Sequence, residues 1–128
     1  MIGGLGTDLV EVGRIADKIS KEQGFRELVF SPREIAYCAG KAHPFEHYAA
    51  RFAGKEAFFK ALGTGWAKGT SFNEVEILSD AQGKPEIHLT GETALTLAPL
   101  HIGTIWVSLS HIQSMASAVV IIEKKQMI

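Results

Sequence analysis

The sequence predicts an α+β fold: an antiparallel sheet packed against one long central helix. Three observations lead there. Residues 51–65, RFAGKEAFFKALGTG, read as a helix, with Ala49, Ala53, Ala57 and Ala61 recurring every four positions and lining one side of it. Residues 72–78 and 84–89 read as two strands joined by a turn, and 104–110 and 116–123 as another such pair. Helical patterns fall between the strands, which points to an antiparallel sheet with helices packed on it.

The 128 residues are expected to form one domain, 1–128. Hydrophobic residues make up 46% and charged residues 21%, a globular balance that argues against disorder. The formal charge is -1, so no overall basic field draws the chain to nucleic acid or membrane. The single cysteine, Cys38, excludes an intrachain disulfide and a cysteine-rich zinc site. The N-terminus has no basic region and meets Asp8 early, unlike a signal peptide, and no apolar run is long enough to span a bilayer. A cytoplasmic location is expected.

The elements follow in order. A strand is expected over part of residues 1–10, where Gly3, Gly4 and Gly6 mark a bulge or close backbone approach. The glycine spacing does not fit a dinucleotide fingerprint. Asp8 reads either as a turn or N-cap aspartate or as a carboxylate held at the end of a strand. Residues 11–23 read as a helix whose buried stripe is Val12, Ile15 and Ile19. Arg14, Lys18 and Lys21 make a basic edge on it, extended by Arg26: a solvated face, or a docking surface for an acidic partner. A second helix opens at 30–38, with Ser31 as N-cap, Pro32 at the first helical position and Glu34 at capping-box spacing. Residues 40–44 form a break, and His43 and His47 are expected to be surface histidines and not metal ligands.

In the central helix Glu56 and Lys60 share a face one turn apart, as an exposed ion pair or as working charges. Gly63 and Gly65 end the helix with left-handed backbone. Residues 66–71 are a loop that lacks P-loop order, though its glycines could present N–H groups to phosphate. The first hairpin turns at 79–83. Residues 90–97 are a short helix, 111–114 a turn, and the terminal KKQMI is expected to fray.

Four segments then resemble one family, the holo-acyl-carrier-protein synthases, small bacterial 4′-phosphopantetheinyl transferases. They are residues 4–15 (GLGTDLVEVGRI), 51–65 around a KEAxxK core, 82–85 (QGKP), and 107–111 (VSLSH) followed by Ala116 and Ala118. Their order runs over essentially the whole chain. Gly54 stands where alanine is more usual in the family, and Ile112 where some members carry an acidic residue, so no third carboxylate ligand is expected from that turn.

The resemblance implies a 4′-phosphopantetheinyl transferase-like fold and a reaction. Coenzyme A gives its phosphopantetheine arm to a serine of apo-acyl carrier protein, and adenosine 3′,5′-bisphosphate leaves, in support of fatty acid biosynthesis. By resemblance and by chemistry Asp8 and Glu56 are assigned as Mg²⁺ ligands, since Mg²⁺ typically takes one or two carboxylates plus water and phosphate oxygens. Lys60 would place a charge on the diphosphate. Glu56, or a magnesium-bound water that it orients, is the candidate base. Gly63, Thr64, Gly65, Gly83, Lys84, Pro85 and His111 resemble segments that line the coenzyme A site. On the residues alone, Lys84 also reads as an ordinary turn lysine and His111 as a hairpin histidine. The basic edge of Arg14, Lys18, Lys21 and Arg26 lies where the family docks its carrier protein. The resemblance further implies a homotrimer with sites at subunit interfaces. Two other readings compete: a Mg²⁺-dependent hydrolase of nucleotide diphosphates, and a non-catalytic module that binds carrier protein.

Overall fold

The structure is a computed structural model that describes residues 1–65 and 67–126. Expectations for Trp66, Met127 and Ile128 fall outside the described residues. The chain runs β1 (Ile2–Glu11), α1 (Val12–Ser20), α2 (Phe25–Val29), α3 (Pro32–Ala39), α4 (Pro44–Leu62), β2 (Val75–Ser79), β3 (Pro85–Leu89), α5 (Gly91–Leu97), β4 (Ile102–His111) and β5 (Met115–Lys124). The main sheet is antiparallel in the order β1-β5-β4, and β2 and β3 form a separate two-stranded sheet.

Helix α4 lies across the inner face of the main sheet. That face carries Val10 on β1, Ala116, Ala118, Val120 and Ile122 on β5, and Ile105, Val107 and Leu109 on β4. The alanine row of α4 is fully or nearly fully buried. The glycines of β1 are what let the helix come so close: a Cβ on Gly4 would overlap the carbonyl oxygen of Ala61, and one on Gly6 that of Ala57. The opposite side of α4 is buried too, beneath α1, α3 and β2. A helix covered nearly all round shows little amphipathic pattern, and only the alanine row betrays its orientation.

Several boundaries differ from expectation. The first strand takes in all of Ile2–Glu11, because Gly4 and Gly6 face the helix and leave the ladder to β5 intact beyond one irregularity near Ile2. Helix α1 stops at Ser20, not at residue 23, with Glu22 in left-handed backbone at φ 53°. Helix α2 was not foreseen. Residues 72–74 form a 3-10 turn, not the start of a strand. The C-terminal end is tied further than expected: Lys124 N–H donates to the carbonyl of Met1 at 2.9 Å and Lys125 N–H to that of His101 at 2.8 Å. The capping box on α3 forms as read, with Ser31 Oγ accepting from Glu34 N–H and Glu34 accepting from Ser31 N–H. Gly63 ends α4 at φ 82° and Gly65 follows at φ 62°, as expected of residues without a Cβ. Among the described residues no helix is long and apolar enough to cross a membrane.

Candidate active site

Asp8 lies within β1, on the same face as Gly4 and Gly6, opposite Ala118 of β5. The glycine contacts that lower α4 onto β1 therefore bring the end of α4 against Asp8. Lys60 Nζ donates to Asp8 Oδ1 at 3.0 Å and to the carbonyl of Thr7 at 3.0 Å. The Asp8 side chain is only 15% exposed, whereas that of Lys60 is 55% exposed. Glu56, one turn before Lys60, is half-buried. Burial first, and then the negative charge of Asp8, push its carboxyl above the usual glutamate range, while Lys60 and Lys18 pull the other way. Two carboxylates and one lysine thus share the edge of the sheet, and Lys18 of α1 reaches the same neighbourhood.

A groove of about 710 Å³ opens here, lined by Asp8 and Lys60 and by the hydroxyls of Thr7, Ser108, Ser110 and Ser117. The other residues singled out from sequence lie elsewhere on the chain. Gly63, Thr64 and Gly65 form the turn after α4, where the Thr64 hydroxyl donates to the carbonyl of Gly65 at 3.1 Å. Gly83 at φ 86°, Lys84 and Pro85 make the β2–β3 turn. Asp80 holds that turn: its Oδ1 accepts from Gln82 N–H at 2.8 Å and Lys84 N–H at 2.9 Å. The Lys84 ammonium lies 5.3 Å from the ring centre of Trp106. His111 ends β4, and its Nδ1 is 3.0 Å from Glu46 Oε1 at the start of α4. His111 pairs with Ala116 of β5 and Asp8 with Ala118, so the two lie on either side of β5, two residues apart along it.

The two other histidines divide. His43 is exposed at the N-cap of α4. His47 is half-buried between the rings of Tyr37 and His111, at 6.0 and 5.1 Å, and burial together with His111 holds it below the usual histidine range. Among the described residues no group of three or more histidine, cysteine, aspartate and glutamate side chains could hold a metal. Two carboxylates are all that the edge supplies, and that donor set suits Mg²⁺. Cys38 is fully buried and burial pushes its thiol up to about 11, which removes it as a nucleophile. On the basic edge, Arg14, Lys18 and Lys21 are exposed, with Lys18 5.4 Å from the ring centre of Phe25. Arg26 stands on α2 and is bound by Glu27 at 2.8 Å.

Sequence reasoning missed two buried charges on α4. Lys55 is wholly enclosed and bonded to Glu34, and Arg51, 2% exposed, donates to the carbonyl of Ile77 and the hydroxyl of Ser79. The available signal was local: both lie among Ala49, Ala50, Ala53, Gly54, Ala57 and Phe58, with no solvated face left to them.

The fold and this edge belong to a recognisable class. The family model of the 4′-phosphopantetheinyl transferase superfamily matches residues 4–115. The chain belongs to that superfamily and, within it, to the holo-[acyl-carrier-protein] synthase family. The holo-[acyl-carrier-protein] synthase of Geotalea daltonii is 45% identical over 97% of this chain and 100% of its own length. The crystal structure of the Neisseria meningitidis enzyme of that name superposes with a TM-score of 0.88 at 36% identity, covering 97% of this chain and 100% of the other. That of Bacillus anthracis, in complex with CoA (3′,5′-ADP), gives 0.80 at 33% identity over 98% and 99%.

Proposed function

We propose that this chain transfers the 4′-phosphopantetheine group of coenzyme A to a serine of apo-acyl carrier protein, in support of fatty acid biosynthesis. It works as a single domain, 1–128, in the cytoplasm. The observation that carries the reading is the pairing of Asp8 and Glu56 beside Lys60 at the sheet edge, in a chain whose relatives have this activity by name.

Asp8 and Glu56 would hold Mg²⁺, which when bound neutralises diphosphate oxygens and the departing phosphate as a Lewis acid. Burial first and the neighbouring Asp8 second disfavour the charged form of Glu56, and a cation between the two carboxylates would relieve both. Lys60, half in solvent, supplies a mobile positive charge for the same phosphates. The serine oxygen attacks phosphorus, and the bond to the bridging oxygen of adenosine 3′,5′-bisphosphate breaks. Glu56, or a magnesium-bound water that it orients, would take the serine proton. The turn at 63–65, the 83–85 turn and His111 would line the coenzyme A site. The exposed charges of Arg14, Lys18 and Lys21, with Arg26 beside them, would dock the acidic carrier protein. The reach of Lys18 to Glu56 supports that orientation, since it sets the basic edge next to the carboxylates.

A homotrimer with shared sites fits one feature. The outer face of the main sheet leaves Leu5 and Leu9 exposed at 62% and 66%, with Trp106 at 46%. The registers put Leu5, Ile121 and Trp106 in one apolar row.

The experiment is intact-mass measurement of an apo-acyl carrier protein after incubation with this chain, coenzyme A and Mg²⁺. A phosphopantetheine mass gain is expected, absent without metal and absent with Glu56→Ala. No gain with folded wild-type protein across several carrier proteins overturns the reading. Consumption of coenzyme A without any carrier protein would point to the hydrolase instead.

A further inference from the structure

The β2–β3 hairpin is not laddered into the main sheet. One edge of β2 pairs with β3. An unprotected opposite edge would show bare N–H and C=O groups. Here that edge is covered by charged side chains from the helices. Lys55 Nζ donates to the carbonyl of Val75 at 2.6 Å and to that of Phe72, just before the strand, at 2.8 Å. Glu34 Oε2 accepts from Ile77 N–H at 2.9 Å. Arg51 Nε donates to the carbonyl of Ile77 at 3.2 Å. Lys55 and Glu34 bind each other at 2.7 Å with both side chains 0% exposed. Ser31 adds a bond from α3, its hydroxyl donating to Glu76 at 2.6 Å.

All three ammonium protons of Lys55 are used in this way. A buried ion pair is a poor device for stability alone, because packed apolar residues of similar volume often serve as well or better. Apolar residues would not bind the backbone of β2 at fixed points. Directional bonds at Phe72, Val75 and Ile77 set where the strand lies against α3 and α4, and the strand leads directly into the 80–85 turn. At its far end the turn is rigid in its own right, through Asp80.

We propose that Lys55 and Glu34 are positioning residues for coenzyme A: together they fix the β2–β3 hairpin, and with it Gly83, Lys84 and Pro85, on the body of the chain. The inference rests on the reading above in which that turn lines the coenzyme A site. Neither residue touches the substrate. Their effect travels through the backbone of β2.

The test is the double variant Glu34→Gln/Lys55→Met, which keeps volume and leaves no lone buried charge. Coenzyme A affinity is measured by calorimetry, kcat and KM by the mass assay, and hairpin amides by hydrogen exchange. We expect Kd and KM for coenzyme A to rise about tenfold while kcat at saturation stays within about threefold, the pattern of lost ground-state positioning. The amide of Ile77 should exchange faster. A folded double variant with wild-type KM, or one that loses kcat alone, overturns the proposal. Should the double variant fail to fold, Lys55→Arg decides. It keeps a cation beside Glu34 but cannot reproduce the ammonium's bonds to the carbonyls of Val75 and Phe72, so a rise in KM of about twofold or more with kcat unchanged is expected, and an unchanged KM refutes the idea. Wild-type protein that neither binds nor consumes coenzyme A would sink the functional reading itself, whereas a binding wild type beside an unaffected variant sinks only this inference.

Discussion

Lys55 and Glu56 are sequence neighbours that face different elements from α4, and their chemistry diverges accordingly. Lys55 turns away from the sheet edge into a closed set of acceptors, where burial lowers its pKa against the pull of Glu34. Glu56 turns toward Asp8, half in solvent. One is satisfied internally; the other is left with a like charge beside it. Asp80 shows the same logic at a surface position. It is exposed, yet its carboxylate takes two backbone N–H groups of the turn that carries Lys84, and those bonds hold it below the usual aspartate range. Asp80→Ala removes both acceptors, and Asp80→Asn keeps an acceptor oxygen in the same place. Under the proposed function, KM for coenzyme A should rise about threefold in the alanine variant and stay near wild type in the asparagine variant, with kcat unchanged in both. Steady-state kinetics of the two variants side by side check this.

Helices α4 and α5 are both tuned by residues distant in sequence. Gly54 sits in the middle of α4, where glycine costs roughly 0.5–1 kcal/mol relative to alanine. A Cβ there would come within 2.6 Å of Ile77 Cδ1 and 3.2 Å of Leu109 Cδ2. Gly54→Ala alone is therefore expected to be neutral or destabilising. Ile77→Val removes the obstructing methyl at a cost of about 0.5–1.5 kcal/mol. In the double variant the helix gain is recovered, so its melting temperature should exceed that of Ile77→Val, a non-additive outcome read by a thermal double-mutant cycle. Helix α5 has no side-chain cap of its own. Glu74 supplies it, accepting from the N–H groups of Glu92 and Thr93 and from the Thr93 hydroxyl. These bonds hold the Glu74 carboxyl below its ordinary value of 4.5, so its stabilisation is present above that pH and is lost as pH falls through the lowered value. Glu74→Gln should cost about 1 kcal/mol at pH 7, and denaturation at a series of pH values should show the gap to wild type closing below 4.5. Both cases explain the limits of reading elements from sequence. Periodicity located α4, the two hairpins and the capped start of α3, because those signals lie within one segment. It missed α2 and the 3-10 turn at 72–74, whose short lengths carry no period, and it could not see a cap supplied from 18 or more residues away.

At the scale of the molecule, the closeness of Glu56 and Lys60 was legible because they share a face of α4, whereas the residues alone left Asp8 open between a cap and a strand-end carboxylate, and only the fold sets it against Lys60. The pairs Lys55–Glu34 and His111–Glu46 were not legible, since only the folded topology makes them neighbours. Within one chain Asp8 is bound by Lys60 and His111 by Glu46. In the proposed homotrimer with shared sites, where copies would meet through the exposed apolar row of Leu5, Ile121 and Trp106, each site takes its carboxylate half from one chain and its His111 half from a neighbour. Two inactive variants should then complement each other. Homotrimers of Asp8→Ala lack every carboxylate half, and homotrimers of His111→Ala impair every other half. In trimers reassembled from an equal mixture, a site is intact when its carboxylate half comes from a His111→Ala chain and its other half from an Asp8→Ala chain. Random assortment makes that about one site in four. Transfer activity of the mixture should rise to about a quarter of wild type, well above the mean of the two variants, and Leu5→Asp in either variant should abolish the gain by blocking association. Activity equal to that mean in verified mixed trimers would show that each chain carries a complete site by itself.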